Sequence, residues 1–355
     1  AKDGVSLIKS AGINIVMVTG DSKETAISIA KEVGIITSNN DIILSSSDLE
    51  KLSDSELKKI IPNLKVVSRA LPEDKKRLVM LSKELGLVTG MTGDGVNDSI
   101  ALKKADVSFA MGSGTEVSKE ASDIVIIDDN ILSISRAILY GRTTFKNIRK
   151  FIIFQLTVNI SAIMLALIGP FIGVPTPITV LQMLWINMVM DTLAGLAFSY
   201  EVPRIEYMKE PPKKKEENII NKYMFNEIIT TSMYTLIISL LFLKLPFIQY
   251  IISYDHLMTA FFSLFIFIAV FNSFNARTHR LNILAHLKEN KVFILIIIFI
   301  IIVQIIIIYS GITLFQTKPL YIKELIFILV LSLSIIPFDF LRKYISKKLR
   351  GDFGV

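Results

Sequence analysis

The sequence predicts an α/β domain built on a parallel sheet, followed by an all-α domain of six transmembrane helices. Three observations predict it. Apolar types make up 52% of the 355 residues and charged types only 20%, and the mean hydropathy is +0.54, which is high for a soluble chain. Charge is unevenly placed: residues 1–150 carry 21 Lys/Arg and 20 Asp/Glu, whereas residues 151–355 carry 18 and 12. Finally, short apolar runs alternate with amphipathic segments before Lys150, and long apolar stretches follow it. The expected division is therefore residues 1–150 and residues 151–355.

In the first part, Ile13–Val18 reads as a strand and about Ser22–Val33 as a helix. Lys65–Ser68 is a second strand, with a helix over Pro72–Leu85. Leu87–Met91 is a third, and Val107–Ala110 and Ile124–Ile127 are two more. This alternation implies a parallel sheet with helices on both faces. Ligands of such sheets lie at the carboxyl ends of strands, and two Gly/Asp loops fall there. The first strand runs into Thr19-Gly20-Asp21. The third runs into Thr92-Gly93-Asp94-Gly95-Val96-Asn97-Asp98. Glycines permit tight turns and close backbone approach. A Thr hydroxyl and backbone N–H groups ahead of a helix can hold phosphate, and Asp94 and Asp98 offer carboxylate oxygens for Mg²⁺. Lys75 sits in the first turn of the helix opened by Pro72, as a counter-charge for a phosphoryl group or as a solvated helix lysine. The set suits phosphoryl transfer by positioning and electrostatics. No GxxxxGK[ST] loop is present, so the chemistry is not that of a P-loop enzyme. Met111–Thr115 reads as a strand-to-helix loop.

In the second part, six apolar stretches run about 151–168, 178–199, 228–248, 257–274, 292–309 and 325–341. Each approaches the ~20 residues that cross a ~30 Å hydrocarbon core. The connection Gly169–Pro177 has no Lys or Arg. The next carries Arg204, Lys209, Lys213, Lys214, Lys215 and Lys222, and the region Gln249–His256 again has none. Basic-rich and basic-poor connections alternate through to the tail. Residues 1–150 and the C-terminus are therefore expected in the cytoplasm. The basic excess beside apolar spans argues for membrane lipid as partner and against nucleic acid, despite a pI of 9.3. There is no Cys, which excludes disulfides and thiolate metal sites.

Polar residues inside the spans are candidates for function. A carboxylate at mid-bilayer costs at least ~2.5–3.5 kcal/mol, so Asp191 requires compensation. Asn187 precedes it by four residues, which on an α-helix sets both on one face. Oxygen ligands favour a hard cation such as Ca²⁺; inter-helix hydrogen bonding is the other reading. Asp339, beside Arg342 and Lys343, is expected as an interfacial charge. The fifth span, almost purely aliphatic apart from Gln304, is expected to face lipid.

The stretches VMVTGDSKETAISIAKEVGI, SRALPEDKKRLV and MTGDGVNDSIALKKADVSFAMGSGTEVSKEASDIVI, with FQLTVN and LQMLWINMVMD, resemble the C-terminal half of the P-type cation-transporting ATPases. The plasma-membrane-type calcium pumps are the most similar group. The likeness covers essentially the whole chain. It implies a partial haloacid-dehalogenase-like phosphorylation domain followed by the last six of ten spans. It also implies an integral, multi-pass protein of the cell membrane. By the same likeness, Thr19, Gly20 and Asp21 belong to a phosphoryl-contacting motif and Lys75 is the phosphate-contacting lysine. Asp94 binds Mg²⁺, with Asn97 and Asp98 supporting the phosphorylation site. Asn159, Asn187 and Asp191 bind or line the site of the transported Ca²⁺. The phosphorylated Asp of the family's DKTG motif does not occur in this sequence. The implied partner is an N-terminal half carrying that Asp and most of the ATP site, and this chain alone is expected to be inactive. Two-site calcium pumps carry oxygen ligands where this sequence has Ala162, Met190 and Ala269, which leaves one ion site at most. Another cation, Mn²⁺ or Na⁺, and a truncated non-catalytic membrane fragment are the alternatives.

Overall fold

The computed structural model describes residues 1–174, 177–311 and 313–350. Pro175 and Thr176 of the expected first connection lie outside these residues. The chain forms two compact units, one of residues 1–143 with 203–218 and one of residues 144–202 with 219–355.

In the first unit the order is α1 (Lys2–Ser10), β1 (Met17–Val18), α2 (Lys23–Glu32), β2 (Ile42–Ser45), α3 (Ser46–Lys51), α4 (Asp54–Ile60), β3 (Leu64–Ser68), α5 (Pro72–Glu84), β4 (Gly90–Gly93), α6 (Ser99–Lys104), β5 (Val107–Met111), α7 (Glu116–Glu120) and β6 (Ile124–Ile126). Two three-stranded parallel sheets result, ordered β1-β3-β2 and β4-β5-β6. Ser22 caps α2 by accepting from Thr25 N, and Pro72 fits the first turn of α5 because its missing N–H is one that a helix start leaves unused. Val66 and Val67 of β3 face opposite sides and are both buried, as strand periodicity requires. α1 lays Val5 against the cluster of Ala26, Ala30 and Val66, and Ile8 against Phe109 and Ile126. It thus packs on both sheets.

The reading from sequence contains neither α1 nor the β2–α4 segment. β1 is shorter than Ile13–Val18, and β4 begins at Gly90 rather than Leu87. Leu87 and Val88 are exposed, so the apolar run that marks a strand in the sequence precedes the paired residues.

Among the described residues, six helices are long and apolar enough to cross a membrane: Ile131–Ile172, Val180–Ser199, Lys222–Lys244, Tyr254–Arg277, Lys291–Tyr309 and Ile322–Lys348. The chain is an integral, multi-pass membrane protein. The first span belongs to a 38-residue helix, α8 (Ile131–Ile168), and the division between the units falls within it after Thr143. The third ends before Pro246, earlier than expected, because that ring cannot continue the hydrogen-bond ladder. The fourth is the central post: 83% of its apolar window is buried, against 28–50% for the others. It packs on the third, fifth and sixth. The fifth departs from a purely lipid-facing helix at Gln304, which is fully buried with neither amide atom partnered among the described residues.

Buried charge fastens these helices. Glu201 pairs with Lys150 at 3.3 Å and Arg277 at 3.4 Å and accepts from Asn290 at 3.0 Å. Burial pushes the Glu201 carboxyl up, but Lys150, Asn290 and Arg277 outweigh it and hold the group below the usual carboxylate range. From sequence, Asp339 is expected as an interfacial charge. It is buried and pairs with Arg342 and Lys343, each at 2.7 Å, because its position on the last helix turns it inward.

Candidate functional site

The first unit gathers its candidate residues at the carboxyl ends of β1, β3 and β4. Thr19 Oγ1 donates to Asp21 Oδ2 at 2.9 Å, and the Asp21 N–H donates back to Thr19 Oγ1 at 3.2 Å. The turn after β3 holds this loop: Arg69 N donates to Asp21 O at 3.0 Å and Ala70 N to Thr19 O at 2.9 Å. Arg69 adopts φ +49°, a conformation uncommon outside glycine. No composition or spacing signal marks it. Two residues beyond Ala70, α5 begins and carries Lys75.

Lys75 Nζ meets Asp98 Oδ1 at 2.6 Å. The other oxygen, Asp98 Oδ2, accepts from Asp94 N and Gly95 N, each at 3.3 Å. Buried Asp98 therefore shapes the loop and holds the lysine. Gly93 is required here, since a Cβ would lie 2.5 Å from Asp98 Cβ. Asp94 and Asn97 are exposed, so their side chains are free to meet a ligand. The MGSGT loop supports Asp94 from behind: Thr115 N donates to Asp94 O at 2.8 Å and Ser118 Oγ to the same oxygen at 3.1 Å. Gly114 allows this approach, as a Cβ would be 2.8 Å from that carbonyl. Sequence reading identifies the loop but not this supporting contact.

Hydrogen bonds thus link Thr19 through Ala70 and α5 to Lys75, Asp98 and Asp94. Among the described residues, no three His, Cys, Asp or Glu side chains form a metal cage. Asp94 presents an exposed carboxylate at this strand end, and Mg²⁺ takes one or two carboxylates and completes its shell with water and phosphate oxygens.

The second unit carries the intramembrane candidates. Asp191 is 2% exposed, and neither carboxylate oxygen has a hydrogen-bond partner among the described residues. The segment before it, Trp185–Met190, is a π-helix. Such insertions are rare and recur at functional sites. They also alter side-chain phase. Asn187 is exposed on the surface of these helices while Asp191 is buried, so the two do not share a face as an α-helix would have them. Asn159, on the first span, is half-buried. Gln182 serves as an N-terminal cap with Thr179 and donates to Phe315 O at 2.9 Å.

Comparison with known proteins follows this division. A profile of the haloacid dehalogenase-like hydrolases matches residues 1–106, and one of the cation-transporting ATPase C-terminus matches residues 175–345. The chain belongs to the P-type cation-transporting ATPases. Its relatives in that family include the probable calcium-transporting ATPase 8, plasma membrane-type, of Oryza sativa subsp. japonica, 40% identical over 331 residues, which cover 90% of this chain and 32% of the relative. Calcium-transporting ATPase 2 of Schizosaccharomyces pombe is 39% identical over 321 residues, 88% of this chain and 25% of the relative. Calcium-transporting ATPase 8, plasma membrane-type, of Arabidopsis thaliana is 37% identical over 322 residues, 86% and 30%. The chain therefore spans about a quarter to a third of the length of these relatives, and its first unit has the haloacid dehalogenase-like α/β fold.

Proposed function

We propose that the chain is the C-terminal part of an ATP-driven pump that moves Ca²⁺ out of the cytoplasm through a phosphoenzyme cycle. The observation that carries the reading is Asp191, a membrane-buried carboxylate with both oxygens unpartnered. A buried polar atom without a partner costs roughly 1–3 kcal/mol, and more when charged. A divalent cation offsets that cost. Asn159 would supply a further oxygen, whereas Asn187 lies on another face. Ca²⁺ needs about 6–8, so water and spans of the complete pump would complete the shell. The exposure of Asn187, with Leu184 and Met188, is what a surface covered by further spans would present.

For the chemistry, β1 and β4 each pair on one side only among the described residues, and both phosphate-cradling loops leave from them. A strand of the preceding half, bearing the phosphorylated Asp, would lie along these edges. Asp94 would hold Mg²⁺, whose charge offsets that of the transferred phosphoryl group. Thr19 and the N–H of Gly20 would orient that group, and Lys75, held by Asp98, would neutralise it. By the distribution of Lys and Arg, residues 1–150 and the C-terminus would be cytoplasmic, and by likeness to the plasma membrane-type relatives the membrane would be the cell membrane.

ATP-driven uptake of labelled Ca²⁺ into vesicles bearing the full-length pump tests the reading. Uptake should depend on Mg²⁺ and disappear in Asp94→Asn. ATP-driven uptake of Mn²⁺ or Na⁺ in place of Ca²⁺ would replace the assigned ion.

A further inference from the structure

The third span carries Thr231, Thr235 and Ser239 at intervals of four, which puts them on one helix face. All three are buried. Thr231 Oγ1 and Ser239 Oγ have no hydrogen-bond partner among the described residues. Between them, Thr235 lines a small cavity shared with Thr157 and Ser161 of the first span and Phe265, Ala269 and Asn272 of the fourth. About 10 Å³ of it is open to the centre of a water molecule, which is close to the room one water needs.

The lining specifies the occupant. Thr157 Oγ1 donates to Ile153 O at 2.7 Å, Ser161 Oγ to Thr157 O at 2.7 Å and Thr235 Oγ1 to Thr231 O at 3.0 Å. Each hydroxyl has one proton and directs it to a backbone carbonyl, Ser161 having Ser232 O of the third span at 3.5 Å as a second acceptor, so only lone pairs remain to face the cavity. Asn272 is 4% exposed, and its amide makes no hydrogen bond among the described residues. It brings two N–H donors and one acceptor. No charged side chain lines the space. A bare cation there would lack the counter-charge that offsets its desolvation. A neutral molecule that both donates and accepts matches the set.

We propose that this cavity is a binding site for one ordered water molecule, which joins the first, third and fourth spans by hydrogen bonds to Asn272 and to the hydroxyls of Thr157, Ser161 and Thr235. Water so placed also removes the cost of leaving Asn272 unpartnered. The unpartnered hydroxyls of Thr231 and Ser239 extend the polar face one turn to either side.

Phe265 is the reporter, because its ring lines the cavity and is fully buried away from bulk solvent. The purified protein in lipid nanodiscs is equilibrated with ¹⁸O-water and irradiated with X-rays, and hydroxylation is located by mass spectrometry. The expected result is Phe265 hydroxylated with ¹⁸O, and loss of that label in Asn272→Leu, which fills the space. Ala269→Val fills the same space without removing a polar group and serves if the first variant does not fold. Unlabelled Phe265 in the parent protein overturns the proposal, and so does label that persists when the cavity is filled.

Discussion

Asp98 illustrates how one side chain can set up a site without meeting the ligand. Its two oxygens divide their work, one on Lys75 and one on the backbone of Asp94 and Gly95. Asp98→Ala should therefore release the lysine and the loop together. We expect a loss of about 3–5 kcal/mol in stability, the usual result of removing one partner of a buried pair, read from chemical denaturation of the first unit's signal. Wild-type stability in this variant would remove Asp98 from the organising role. Asp94→Asn should behave differently, because Asp94 is exposed and its backbone rather than its side chain is tied down. Folding should be unchanged, while phosphoenzyme formation in the full-length pump should fall by about 100-fold or more. Labelled ATP and acid-quenched gels distinguish the two. Much of this was legible in the sequence, since glycines flanking acidic residues at a strand end announce a loop that approaches a ligand. The left-handed backbone of Arg69 and the contact of Thr115 with Asp94 were not. Both arise where distant segments meet, and no spacing in the chain records such meetings.

At the level of elements, long apolar runs announce spans reliably, because crossing a bilayer fixes their length. Their ends and irregularities are less visible. Nothing in WINMVM signals a π-helix, yet that one feature separates Asn187 from Asp191. The buried ion clusters were equally hidden, since Glu201 joins residues 51 and 76 positions away. Glu201→Gln should remove the negative charge that Lys150 and Arg277 face here, with an expected cost of about 3–5 kcal/mol. Thermal unfolding in detergent measures it, and an unchanged midpoint would show that the cluster does not fasten the helices. Asp106 makes a milder case. Burial pushes its carboxyl up, but the Thr89 N–H, Lys215 and Lys83 outweigh this and hold it below the ordinary range. A depressed carboxyl contributes stability that is present above its unfolded pKa of about 3.9 and is lost as pH falls through the lower folded value. Asp106→Asn should thus flatten the acid limb of the first unit's stability profile below about pH 4. An acid limb identical to wild type would contradict it.

For the whole molecule, one chain carries two kinds of candidate site. Hydrogen-bonded loops at strand ends are suited to handling a phosphoryl group, and an unpartnered carboxylate within the spans is suited to a cation. The fold class was legible from the contrast between the charged α/β part and the apolar part. The two-unit division was only partly so, because residues 203–218 return to the first unit, where Lys215 pairs with Asp106 at 3.0 Å. On the proposed function, Asp191 anchors a single transported Ca²⁺. Ala162, Met190 and Ala269 bring only carbon or thioether where a second set of oxygens would be needed. The direct measurement counts labelled Ca²⁺ occluded per phosphorylation site in the full-length pump and in Asp191→Ala. One ion is expected in the wild type and none in the variant. Two ions per site, or full occlusion without Asp191, would rule out a single site anchored by Asp191.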